Sequence, residues 1–373
     1  MKVIMAAAGT AGHINPALAI ANKIKEKEPN SEIIFLGTER GLENDLVPRA
    51  GYKLEKIEAY GLSKKINLDN IKKMLKTLKG MKQAKQIVKE FKPDVIIGAG
   101  GYICGAAIMA GKKYKIPMLL HESNAFPGKA VKMSSKMVDE VLVSFEDAIQ
   151  RLPKAKKVVL TGTPIKIKKI DLSENQKIEE INKLGLNPAI PIVLVFGGSQ
   201  GAKKINETIV EIIKKKLNKK YQIILASGIK QYDYVKELLE KSNIDIEKIE
   251  NVKIMPYIYN MEIMLNLADM VVCRSGAATI AEIATVGKPA IFVPLPNVSG
   301  DHQYYNAEVL KKAGAAEIIR NNELDEIRLN KEIESIVSDK EKIKTMGENA
   351  KKVETKNVEE KIYNEIIQIL KNK

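Results

Sequence analysis

The chain has 373 residues, a formal net charge of +15 and an isoelectric point near 9.4, so two domains and an anionic partner are expected: phosphate-rich ligands, anionic lipid or nucleic acid. The excess is scattered lysine, with no arginine-rich arm or aromatic stacking platform, which argues against nucleic acid. Cys104 and Cys273 read as a helix start and a buried strand, so no structural disulfide is expected, and no apolar run approaches the length that crosses a bilayer.

A first strand is expected over Lys2–Met5 and a helix over Asn15–Glu28, with Ala8-Gly9-Thr10-Ala11-Gly12-His13 between them and Pro16 in the first helical turn. The faint likeness of the first eight residues to a signal peptide is cut short by these glycines. His13 falls at the carboxyl edge of a parallel sheet, where open α/β folds place ligands, although a histidine in a loop is more often a polar surface residue. Ser31–Leu36 is the second strand. The segment from Ile66 to Phe91 is the most basic, with Ile71, Leu75, Leu78, Met81, Ile87, Val88 and Phe91 at helical spacing among lysines. Its C-terminal half is expected on the sheet, while Ile71, Leu75, Leu78 and Met81, ringed by lysines, suit an anionic bilayer surface.

Strand Asp94–Ile97 leads into a second glycine loop, Gly98-Ala99-Gly100-Gly101-Tyr102. Strand Pro117–Leu120 feeds His121-Glu122-Ser123-Asn124, where Glu122 is placed either for acid–base chemistry or to fix the loop through backbone hydrogen bonds. Strands Glu140–Val143 and Lys157–Leu160 complete a sheet. The break at Thr161-Gly162-Thr163-Pro164 ends a first domain at 164 and opens a second over 165–352.

After helix Glu174–Leu184 the rhythm restarts: Ile192-Val193-Leu194-Val195-Phe196 reads as a strand covered on both faces, followed by Gly197, Gly198 and Gly201. Ser199 stands at the expected N-cap of a helix carrying Ile205, Ile209, Ile212 and Ile213, an arrangement that suits phosphate or pyrophosphate but equally a loop that merely folds. Tyr221–Ala226, Val252–Met255, Met270–Cys273 and Ala290–Val293 are further strands. In Arg274-Ser275-Gly276-Ala277-Ala278-Thr279-Ile280-Ala281-Glu282 a Gly-Ala turn opens a helix. Glu282 then lies close enough to bridge two ribose hydroxyls, or else is an exposed residue favoured by the helix dipole. Asp301-His302-Gln303 follows a Pro- and Gly-rich loop at the same sheet edge. There is no Asp-x-Asp pair and no Cys/His cluster with ligand spacing, and Asp245 with Glu247 falls in a polar helix-like stretch. Neither a bound metal nor another cofactor is therefore expected.

Taken in order, Gly9–His13 with Pro16-Ala17-Leu18, Gly100-Gly101-Tyr102, His121–Asn124, Gly162-Thr163-Pro164, Gly197–Ala202, Cys273–Ala277 with Glu282, and His302-Gln303 with Asn306-Ala307 resemble the MurG family over nearly the whole chain. Those glycosyltransferases add N-acetylglucosamine to undecaprenyl-pyrophosphoryl-N-acetylmuramyl-pentapeptide in peptidoglycan synthesis. The resemblance implies an α/β GT-B fold, two Rossmann-like domains facing across a cleft, with the C-terminal helix (353–373) packed back on the first. It implies UDP-N-acetylglucosamine as donor, held by Ser199, Gln200 and the loop amides at the diphosphate, the Ile258 backbone at uracil, Ala277, Ala278 and Thr279, Glu282 at ribose, and Gln303 at the sugar. Thr10, Ala11, Gly12, Asn124 and Lys166 match positions lining that site from the other side.

The acceptor pyrophosphate is expected at Gly9, Gly12, Gly100, Gly101 and Tyr102. The resemblance further implies an inverting, metal-independent transfer with His13 as first candidate base and Glu122 as second, on the cytoplasmic face of the cell membrane as a peripheral protein. The chain departs from the family at Ala8 and Ala11 (usually Gly), Ser123 (Gln), Thr163 (Asn) and Lys166 (Arg). An alanine forced to positive φ would strain its loop by about 1 kcal/mol. Three rivals stay open from sequence: a UDP-sugar epimerase of the same architecture, a glycosyltransferase acting on a diacylglycerol or natural product, and a non-catalytic binding protein.

Overall fold

Val3, Ile4 and Met5 are wholly buried because their strand lies in the middle of a parallel sheet covered on both faces. The computed structural model of the chain describes residues 1–60, 68–198 and 200–372, apart from the side chains of Leu68, Ile71 and Glu247. It forms two units, Met1–Ile165 with Thr355–Lys373, and Lys166–Glu354.

The first unit runs β1 (Lys2–Ala6), α1 (Ala11–Lys27), β2 (Glu32–Gly37), α2 (Glu43–Arg49), β3 (Lys53–Lys56), α3 (Leu68–Phe91), β4 (Val95–Gly98), α4 (Ile103–Tyr114), β5 (Met118–Glu122), α5 (Lys129–Ser134), β6 (Glu140–Val143) and β7 (Val158–Leu160). All strands are parallel in the order β3-β2-β1-β4-β5-β6-β7. Chain order reverses between β1 and β4, and both glycine loops leave the sheet there, at the point where open α/β sheets bind ligands.

The second unit repeats the plan: α6 (Glu174–Lys183), β8 (Ile192–Phe196), α7 (Lys203–Lys214), β9 (Gln222–Ala226), α8 (Tyr232–Glu240), β10 (Val252–Met255), α9 (Met261–Leu267), β11 (Met270–Cys273), α10 (Ala277–Val286), β12 (Ala290–Phe292), α11 (His302–Lys312), β13 (Ala316–Ile318), α12 (Glu326–Val337) and α13 (Lys340–Lys352). Its order β10-β9-β8-β11-β12-β13 reverses between β8 and β11. The last helix, α14 (Val358–Lys371), belongs to the first unit, burying Ile362, Ile366 and Ile369 in one cluster with Ile14, Ala17, Ile20 and Ile24 of α1. Burial of each such side chain stabilises by about 1.5–3 kcal/mol. Glu360 also pairs with Lys23 and Lys27.

Four expectations need correction. Helix α1 starts at Ala11, not Asn15, because Thr10 takes the extended N-cap conformation (φ −112°) and Ala11 enters the helix at no entropic cost. His13 thus lies in the first helical turn, and Pro16 is the sixth residue rather than part of the first turn. Helix α7 is capped by Ala202, so the N-cap is not Ser199. The edge strands β3 and β13 escaped the sequence reading because Lys-Leu-Glu-Lys and Ala-Glu-Ile are too short and too charged to show a strand pattern. Met81 packs against the core instead of sharing the exposed stripe. Met74 joins Leu75 and Leu78 there, at 46%, 58% and 50% exposure, while the Ile71 side chain lies outside the described residues.

Candidate functional site

In the first unit the two glycine loops are pressed together. Gly9, Gly100 and Gly101 have φ of +99°, +117° and +85°. A Cβ on Gly101 would stand 2.7 Å from the Ala8 carbonyl, and one on Gly100 would stand 2.3 Å from the His13 ring, so only glycine permits this approach. His13 is half-buried, and its Nδ1 lies 3.1 Å from the Ala8 carbonyl oxygen. A carbonyl only accepts, so the proton sits on Nδ1 and the lone pair on Nε2. Cys104 binds beneath the second loop, its Sγ accepting from the Gly100 N–H at 3.3 Å. Burial pushes that thiol up to about 12, so it stays neutral. Ala8 and Ala11 have no positive φ, so the strain envisaged for them is absent.

Not every expected residue keeps its expected part. The Gly9 N–H donates to the Glu43 carboxylate at 2.9 Å, which withdraws it from any acceptor phosphate. The N-terminal amides of α1, at Ala11 and Gly12, and the start of α4 beside Gly101 and the 67% exposed Tyr102 are the other helix ends at this edge. Glu122 is buried and its oxygens accept from the Asn124 N–H and Nδ2 at 2.8 and 3.0 Å and from the Gly128 N–H at 2.8 Å. That is the loop-fixing role and not that of a base. Buried His121 donates Nε2–H to the Gly162 carbonyl at 3.1 Å, and desolvation pushes its pKa down to about 4, so it is neutral.

The second unit holds a cavity of about 570 Å³ at its own switch point, lined by the glycine loop after β8, Arg274, Gly276, Thr279, Leu295, Pro296, Gln303 and Asn321. Gly198 and Gly201 have φ of +82° and +77°, and a Cβ on Gly201 would meet the Ser227 carbonyl at 2.2 Å. Gly276 is the extended N-cap of α10, whose first turn is Ala277, Ala278 and Thr279; of these Thr279 lines the cavity, with Gly276. Gln303 is fixed at both ends: its Oε1 accepts from the Leu295 N–H at 2.9 Å and its carbonyl from Ser275 Oγ at 2.7 Å. Arg274 Nη1 donates to the Val293 and Pro294 carbonyls at 2.9 and 3.1 Å. Its Nε, and Oδ1 of Asn321, are buried with no partner among the described residues. A buried polar group left unpaired costs about 1–3 kcal/mol, so water or a polar ligand is favoured at both atoms.

Glu282 is only partly exposed, and desolvation pushes its carboxyl up to about 7. As the sixth residue of α10 it is not the exposed first-turn glutamate of the alternative reading. Gln200 is exposed on the loop, Ile258 is buried just after β10, and Lys166 is exposed at the first residue of the unit. Ser199 lies outside the described residues. Lys203, Lys204 and Asn321, which also line the cavity, were missed. The lysines directly follow the glycine loop, which was the available signal. Among the described residues no group of three His, Cys, Asp or Glu side chains could hold a metal ion, and no helix is long and apolar enough to cross a membrane.

Two parallel Rossmann-like sheets, each with a glycine crevice at its switch point, define a GT-B nucleotide-sugar glycosyltransferase. Residues 3–143 match the glycosyltransferase family 28 N-terminal domain and residues 192–362 the C-terminal domain. A protein of Caldanaerobacter subterraneus subsp. tengcongensis named UDP-N-acetylglucosamine--N-acetylmuramyl-(pentapeptide) pyrophosphoryl-undecaprenol N-acetylglucosamine transferase is 43% identical, covering 97% of this chain and 98% of its own. Its namesake in Acetivibrio thermocellus is 41% identical, over 100% and 99%. The crystal structure of Acinetobacter baumannii MurG superposes with a TM-score of 0.80 at 27% identity, over 98% and 99%. The chain belongs to the MurG family of glycosyltransferases.

Proposed function

We propose that this chain moves N-acetylglucosamine from UDP-N-acetylglucosamine to the 4-hydroxyl of undecaprenyl-pyrophosphoryl-N-acetylmuramyl-pentapeptide, the step in peptidoglycan synthesis for which its relatives are named. The full-length match at 43% identity carries this reading. The second unit binds the donor, with the loop after β8, Lys203 and Lys204 of the cavity at the diphosphate and Gln303 of the same cavity at the sugar, and with Glu282 of α10 at ribose. His13 Nε2 takes the proton of the attacking hydroxyl as the anomeric bond to UDP breaks with inversion. The leaving diphosphate is stabilised by amides, helix ends and lysines, without a metal ion. Exposed Met74, Leu75 and Leu78, set among exposed lysines of α3, hold the protein peripherally on the anionic cytoplasmic face of the membrane.

The test is product analysis with labelled UDP-N-acetylglucosamine in chelator, with and without lipid-linked muramyl pentapeptide. Label in the lipid fraction is expected. An epimerised UDP-sugar without acceptor, or binding without turnover, would overturn the reading, and a need for added divalent cation would overturn its metal independence.

A further inference from the structure

The peptide bond between Ala8 and Gly9 is gripped at both ends. Its N–H donates to Glu43 Oε2 at 2.9 Å, and its carbonyl accepts Nδ1–H of His13 at 3.1 Å. Glu43 opens α2 and is wholly buried. Its other oxygen, Oε1, accepts from the backbone N–H and the hydroxyl of Thr38 at 2.9 and 2.8 Å. The carboxylate fits because its neighbours lack side chains: a Cβ on Gly41 would stand 1.8 Å from Oε2, and one on Gly37 2.7 Å from Cγ. The surrounding turn is tied down as well, Asn44 Nδ2 donating to the Thr38 and Gly41 carbonyls at 2.8 and 3.0 Å and the Leu42 N–H to the Gly9 carbonyl at 3.2 Å. Burial alone would raise the Glu43 carboxyl, but the hydrogen bonds from Gly9 and Thr38 outweigh it and hold it below the ordinary value. It is therefore an anion at neutral pH.

No ion pair among the described residues involves this carboxylate, yet it is aimed at one amide of the loop that carries the proposed base. An amide donating to an anion is polarised, and its carbonyl becomes a stronger acceptor. We infer that Glu43 is a positioning residue for His13 that acts through the Ala8–Gly9 peptide: it fixes the plane of that peptide, whose carbonyl then holds the imidazole in its Nδ1–H tautomer with Nε2 free. Carboxylate, peptide and imidazole form one line, in place of a carboxylate touching the histidine directly. When the acceptor hydroxyl gives its proton to Nε2, the imidazolium keeps Nδ1–H on the Ala8 carbonyl, and no proton passes to Glu43. This inference rests on His13 as the base.

The test is a double-mutant cycle on the full chain. Glu43→Gln keeps the volume and an oxygen for Thr38, but turns an NH₂ group toward the Gly9 N–H. It should lower kcat about tenfold with both KM values nearly unchanged, and should leave the residual rate of His13→Ala nearly unaltered. An equal fall in both backgrounds would make Glu43 merely structural and overturn the relay. Should Glu43→Gln not fold, the ¹⁵N shifts of His13 in the unaltered protein decide: a protonated Nδ1 and bare Nε2 support the relay, and the opposite tautomer overturns it. Full transfer by His13→Ala would instead remove the base assignment, a different failure from an additive cycle.

Discussion

The two glycine crevices sit at equivalent switch points but have opposite polar economies. In the first, the polar groups are satisfied from within: Glu43 takes the Gly9 amide, Cys104 the Gly100 amide, and Ala8 the His13 proton. In the second, the wall keeps a buried guanidinium Nε and an amide oxygen that have no partner among the described residues. The first, the edge proposed above as reactive, is arranged from within, with Nδ1 of His13 turned onto the Ala8 carbonyl. The second is a socket that leaves polar groups of its wall unpaired among the described residues.

The strongest way to break this contrast is at the reactive edge. His13→Ala should lower transfer about 10²–10⁴-fold at saturating substrates, read as initial rate of label incorporation. A rate near wild type would remove the distinction. Next is Gly101→Ala, which drives a Cβ to 2.7 Å from the Ala8 carbonyl at φ +85°. It should destabilise the protein by about 1–3 kcal/mol in denaturant titration and raise KM for the acceptor more than for the donor. Unchanged values would mean that the loops are not preset.

Glu282 tests the donor half of the proposal. Its folded value of about 7 lies above its ordinary 4.5, so between these values the folded state holds a proton that the unfolded state releases. This group's contribution to stability therefore falls as pH rises from 4.5 through 7. Glu282→Gln should raise Tm relative to wild type more at pH 8 than at pH 5, while weakening the donor about tenfold. In the wild type, the donor KM should climb as pH drops below 7, because the protonated carboxyl accepts less well from two hydroxyls, and the Gln variant should lose that slope. The smallest effect belongs to α3: Met74, Leu75 and Leu78 replaced together by Ser should reduce flotation with anionic vesicles and leave turnover of a short-chain soluble acceptor near wild type. Undiminished flotation would place the membrane contact elsewhere.

Strands such as Val3–Ala6 and Ile192–Phe196 were legible because parallel, doubly covered strands write continuous apolar runs, and the glycine loops because their φ values admit little else. The start of α1 slipped by four residues because Thr10 and Asn15 are both acceptable caps and tertiary packing decides between them. Asn321 was invisible for a topological reason: only the order β8-β11-β12-β13 brings the chain after β13 to the same cavity. Glu43 was invisible because it lies 34 residues from the amide it binds, on a helix with no pattern of its own. The same separation hid the fact that Gly9, read as an anion donor, is already occupied.

The division of labour is tested most directly by calorimetric titration of UDP-N-acetylglucosamine into the wild type and the His13→Ala protein. The donor Kd is expected to agree within about twofold while transfer is lost, since the socket and the base belong to different crevices. A loss of donor affinity of tenfold or more, with transfer restored once donor is saturating, would contradict the account.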